Sequence, residues 1–76
     1  MNTIYRDGKT KISVYADHAP VHFHVRTPDG DSAVDLGTMA EIAGCANRKQ
    51  LAKAIEWARA NEALIRSEWD KLNGGG

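Results

Sequence analysis

Asp17-His18-Ala19-Pro20-Val21-His22-Phe23-His24-Val25-Arg26 holds all three histidines of the 76-residue chain, and its alternation decides how the rest is read. After Pro20, the apolar Val21, Phe23 and Val25 interleave with His22, His24 and Arg26. That period of two is the pattern of a half-buried strand. It predicts a core row on one side, and two imidazoles with a guanidinium on the other.

Working outward, the flanking segments carry the same signature. Residues 3–6 read as a first strand, and Asp7-Gly8 is a turn pair suited to a tight hairpin. Residues 10–16 form a second strand, with Ile12 and Val14 opposite Lys11, Ser13 and Tyr15. Residues 21–27 are the histidine strand. Pro28-Asp29-Gly30-Asp31 turns the chain into a fourth strand at 32–36. Short connections of this kind make an antiparallel meander of about four strands.

The second half reads as helix. Thr38 and Glu41 have capping-box spacing, which predicts a short helix over 39–43 closed by Gly44. Asn47 and Gln50 repeat the spacing and open a long helix at Arg48. Leu51, Ile55, Ala58, Ile65, Trp69 and Leu72 form its apolar stripe, interrupted at Glu62. Unbroken over 48–72 it would be about 37 Å long, against an expected radius of gyration of about 11 Å for a domain of this size. A kink near 59–62 is therefore expected, with Asn61 as the new N-cap. The competing arrangement is one straight helix whose projecting end makes a homodimer. The expected fold is α+β: one domain over 1–73, a sheet with its helices on one face, and a flexible glycine tail at 74–76.

Composition narrows the function. Ten Lys/Arg balance ten Asp/Glu, so bulk charge does not suit a protein that coats nucleic acid. The charge is unevenly spread, at +2 over 1–27, −4 over 28–46 and +2 over 47–76. Cys45 is the single cysteine, which excludes an internal disulfide and a cysteine-ligated zinc site and fits a reducing cytosol. It reads as a small buried residue. No apolar run approaches the roughly 20 residues of a membrane span, and the start lacks signal-peptide character. A cytoplasmic protein is expected.

With the strands assembled, the chain resembles domain-of-unknown-function family 4160. The resemblance rests on the run from His18 to Arg26, on Gly30, and on Ile55-Glu56-Trp57 with Glu68-Trp69. The family usually has a second proline where Val21 stands. The resemblance implies a small bacterial protein of toxin–antitoxin type, encoded beside a second short protein. It supplies no reaction and no catalytic residue.

These residues suit several chemistries. His18, His22 and His24 could form a zinc or nickel site, with Asp17 near in sequence but no convincing fourth ligand, and the expectation is a protein without metal or cofactor. His22 or His24 could move a proton in a metal-independent ribonuclease, with Arg26 or Lys11 on the phosphate. Residues 38–59 could pass for a DNA-binding helix-turn-helix. Arg48 and Lys49 sit in a first helical turn, where the dipole disfavours cations, which suggests an anionic partner. Trp69, beyond the expected break, is a candidate partner anchor.

No Ser/Cys nucleophile constellation, phosphate loop or carboxylate dyad is visible. The preferred reading is a non-enzymatic interaction protein, of toxin–antitoxin or mobile-element type, or a phage-type inhibitor. Its partner would be a host protein or ribonucleoprotein complex, with nucleic acid as the alternative. The expected working face is His22, His24 and Arg26, extended by Lys11, Tyr15 and His18. Arg48, Lys49 and Lys53 are a second candidate patch.

Overall fold

A computed structural model describes residues 2–15 and 21–73. Among them the chain forms one antiparallel sheet in the order β1-β2-β3-β4-β5, followed by two helices. The strands are β1 (Asn2–Asp7), β2 (Thr10–Val14), β3 (His22–Thr27), β4 (Gly30–Asp35) and β5 (Glu41–Gly44). The helices are α1 (Arg48–Ala60) and α2 (Glu62–Leu72). The meander is as expected, with one more strand. Of the expected sites, His18 lies outside the described residues, as does the glycine tail at 74–76.

The turns set the register. Asp7 pairs with Thr10 across Gly8 and Lys9, and Gly8 takes φ 61, a value open to glycine at little cost. Thr27 pairs with Gly30 across Pro28 and Asp29. These hairpins align two neighbouring rows across the sheet. Tyr5, Ile12, Val25 and Ser32 are directly opposed in one; Arg6, Lys11, Arg26 and Asp31 are directly opposed in the next. Side chains alternate, so the two rows face opposite sides. The first meets α1: Tyr5 lies 4.4 Å, centroid to centroid, from Trp57 of that helix.

The core joins Ile12, Val14, Phe23, Val25, Val34 and Leu36 to Leu51, Ala54 and Ala58 of α1 and Ile65 and Trp69 of α2. α1 opens on Asn47, whose side chain accepts from the backbone N–H of Lys49 and Gln50 at 3.0 and 3.1 Å. The same side chain donates to Asp29 at 2.8 Å, and the Asn47 N–H donates to Thr27 at 3.3 Å. Thr10 donates to Gln50 at 2.9 Å. The start of α1 is thereby fastened to the β3–β4 turn and to the start of β2.

The helix breaks at Asn61, where the sequence predicts it. The overall dimensions are 33 × 21 × 20 Å with a radius of gyration of 11.2 Å, so a straight helix of about 37 Å would overrun the body. The straight helix ending in a projecting dimerisation segment is therefore not formed. Asn61 does not cap α2 through its side chain; its amide donates back to the Trp57 carbonyl at 2.9 Å and closes α1.

The short helix over 39–43 is the main correction. Residues 36–40 instead make a turn organised by Asp35, whose carboxylate accepts from Gly37 and Thr38 N–H at 2.7 and 3.1 Å. Met39 takes φ 59 and donates to the Asp35 carbonyl at 2.8 Å. Glu41–Gly44 then pairs with β4 as β5, through Ser32↔Gly44, Ala33↔Ala43 and Val34↔Glu41. A five-residue helix gains little by itself, and ladder bonds to β4 outweigh a local capping signal. Gly44 is at φ 111, where an added Cβ would run into the Asp31 carbonyl. Its role is close passage against β4 rather than closure of a helix. Cys45, expected to be buried, is exposed just beyond β5.

Candidate functional site

Three of the expected working-face residues belong to a chain of rings. Tyr15 packs edge-on against His24 at 4.4 Å, His24 lies 5.1 Å from His22, and His22 lies 5.1 Å from Trp69. Alternation puts His22 and His24 in the row opposite the core, and the sequence reading made that row solvent-facing. The structure corrects this at one end. α2 brings Trp69 to the start of β3, and His22 is only 9% exposed. Trp69 itself is 6% exposed, so it is a core residue and not a free anchor for a partner. Ser13, in the same outer row as His24, is also buried, with its hydroxyl 3.3 Å from that of Thr3.

The accessible part of the face is its cationic end. Arg6, Lys11 and Arg26 are direct cross-strand neighbours on β1, β2 and β3, and the row ends on Asp31 of β4. Adjacent strands lie about 4.8 Å apart, so three cations stand in a line roughly 10 Å long. Like charges placed directly opposite one another destabilise a sheet. Among the described residues Asp31 offsets this at one end only, where its carboxylate is 3.5 Å from Arg26 Nε and both side chains are about half exposed. Beside the row, Lys9, Lys11, Arg26, Thr27, Pro28 and Asp31 line a shallow cleft of about 340 Å³. Pro28 is its one wholly apolar lining residue.

Arg6 and Lys9 were missed in the sequence reading. The signal was present: a two-residue loop at Gly8-Lys9 fixes Asp7 opposite Thr10 and hence Arg6 opposite Lys11. The Pro28-Asp29 turn likewise sets Arg26 opposite Asp31.

The second candidate patch is not brought together with the first. Lys49 and Lys53 are exposed on α1, which packs on the opposite side of the sheet. Arg48 already has an anionic partner within the chain. Its guanidinium donates two parallel hydrogen bonds to Glu41, at 3.0 and 2.9 Å, and two more to the Ala46 carbonyl. Ser32 donates to the same Glu41 carboxylate and accepts from Ala46 N–H at 2.9 Å. The bonds from Arg48 and then Ser32 hold the Glu41 carboxyl down at about 2, from an ordinary 4.5. The bond to Glu41 also raises Arg48 above its ordinary value. This cluster ties β5 and β4 to the start of α1.

The helix-turn-helix expectation changes accordingly. With 41–44 in a strand, the first helix of a helix-turn-helix is not formed. Among the described residues no group of three or more His, Cys, Asp or Glu is placed to hold a metal ion. Among the described residues no helix is long and apolar enough to cross a membrane.

Comparison with known proteins gives one match. A family model described as a domain of unknown function (DUF4160) matches residues 10–70. Neither curated proteins nor solved structures gave a match.

Proposed function

The chain belongs to the DUF4160 family, and we propose that it is a non-enzymatic docking protein whose cationic sheet row binds an anionic surface on a protein or ribonucleoprotein complex. We read it as a toxin–antitoxin-type or mobile-element component working in the cytoplasm. The observation that carries the reading is the directly opposed row Arg6–Lys11–Arg26, a charge arrangement that costs the sheet stability and, among the described residues, is balanced at one end only. An external anion would supply the missing balance. Such a row gives electrostatic attraction and fixes orientation at an interface.

The histidines take a supporting part in this reading. His22 packs on Trp69 and His24 on Tyr15, contacts that stiffen β3 beside Arg26. The ribonuclease alternative needs an imidazole within reach of a phosphate held by Arg26, and the burial of His22 disfavours it for that role.

The test is a pull-down from host lysate with the parent and the Lys11→Glu/Arg26→Glu double variant, alongside incubation of both with labelled RNA. Loss of the parent's partners by the double variant, with intact RNA in every lane, supports docking. Unchanged partners would overturn it. RNA cleavage abolished by His24→Ala would replace it with the enzyme reading.

A further inference from the structure

We propose that the anion held by the Arg6–Lys11–Arg26 row is the phosphodiester backbone of a single-stranded nucleic acid, gripped without regard to sequence. This deepens the docking reading and rests on it. Three features of the face favour phosphates over an acidic protein surface.

The first is the lining. A protein interface is centred on buried apolar and aromatic anchors. The cleft beside the row offers one proline among Lys9, Lys11, Arg26, Thr27 and Asp31. The large hydrophobic side chains exposed among the described residues, Ile42 and Leu64, lie on β5 and α2 and not in this cleft.

The second is the linear arrangement. Arg6, Lys11 and Arg26 follow one another across three adjacent strands, at right angles to them. A line of cations suits a linear polyanion. Lysine meets a phosphate as a flexible point charge, and arginine meets it as a planar fork.

The third is the flat setting. The row lies on a sheet face, not on a helix or a two-stranded ribbon that could enter a duplex groove. Of the aromatic rings nearest the row in sequence, Tyr5 packs on Trp57, Phe23 is fully buried, and Tyr15 is engaged with His24 and half-buried. Among the described residues, backbone contacts are therefore available and base stacking is not, which gives affinity without sequence readout.

Asp31 is the built-in control. It is the one anion in the row, its side chain is half exposed, and its 3.5 Å contact with Arg26 competes with any incoming phosphate. Removing its charge should strengthen binding, an effect that a purely structural role for the row would not produce.

The experiment measures anisotropy of a fluorescein-labelled 12-nucleotide uridine strand, with a labelled polyglutamate peptide of equal charge as the second probe. The proteins are the parent, Lys11→Glu, Arg26→Glu and Asp31→Asn, each checked for parental circular dichroism. Three phosphates engaged at about 0.7 counterion each predict a roughly 20-fold loss of affinity between 50 and 200 mM salt. Either charge reversal should lower the salt slope by about one and weaken binding roughly tenfold. Asp31→Asn should tighten it severalfold. Binding of polyglutamate and not of the uridine strand would overturn the nucleic-acid inference while leaving docking on an acidic protein intact. Binding of neither probe overturns the inference, and the lysate pull-down then decides the docking reading separately.

Discussion

The His22 imidazole and the Trp69 indole lie 5.1 Å apart, centroid to centroid, inclined at 60°, with both residues buried. This contact joins the start of β3 to the last turns of α2 and turns one member of a polar row into part of the packing.

Trp69→Ala should cost about 3–5 kcal/mol, the range for loss of a large buried aromatic. His22→Ala should cost less, and the pair should show a coupling of about 0.5–1.5 kcal/mol in a double-mutant cycle, as packed rings do. Urea melts of the two single variants and the double variant measure it. Strict additivity would mean that the rings are neighbours without an interaction.

Phe23→Ala should likewise cost about 3–5 kcal/mol. Phe23 is fully buried, pairs with Val34 across the ladder, and lies at the centre of the sheet. At a typical 0.05–0.15 kcal/mol per residue, a chain of this length has roughly 4–11 kcal/mol in total. The variant should therefore be partly unfolded at 37 °C, read by circular dichroism.

Acid should act through Glu41. Its carboxyl is held at about 2 against an ordinary 4.5, so the folded state binds its proton more weakly than the unfolded chain. The stability that it contributes is complete above about pH 4.5 and is lost as pH falls toward about 2. Glu41→Gln should be less stable than the parent at pH 7, and the two should converge as pH drops through that window. Melting temperatures taken at half-unit steps would show this. A parallel offset at every pH would assign the loss to packing instead.

Lys11→Glu should leave stability within about 0.5 kcal/mol of the parent, shifted toward greater stability. It places a carboxylate between Arg6 and Arg26 and removes two like-charge oppositions. A variant that folds as well as the parent or better, yet loses its partners, separates a binding role from a structural one in a single comparison. A substantial fall in melting temperature would mean that the lysine stem is needed for packing.

Much of the architecture was legible because its causes are local. Alternation about Phe23, the Asp7-Gly8 and Pro28-Asp29-Gly30 turns, the Asn47 cap and the excess length of an unbroken 48–72 helix each act within a few residues. They yielded the meander, the start of α1 and the break at Asn61. The cationic row was only partly legible: Lys11 and Arg26 stood out, while Arg6 needed the hairpin register to be carried through.

The amino-acid sequence by itself determined the strand faces, the turns and the helix start, since backbone geometry and side-chain period at those positions depend on near neighbours. Tertiary structure alone decided three things. Glu41–Gly44 became a strand because β4 offered it a ladder, which outweighs a capping signal too short to sustain a helix. Arg48 was taken by Glu41 because β5 brought that carboxylate to the start of α1. His22 was buried because the bend at Asn61 sent Trp69 to the beginning of β3. Each depends on which distant surface comes to cover a residue, and spacing along the chain carries no record of that.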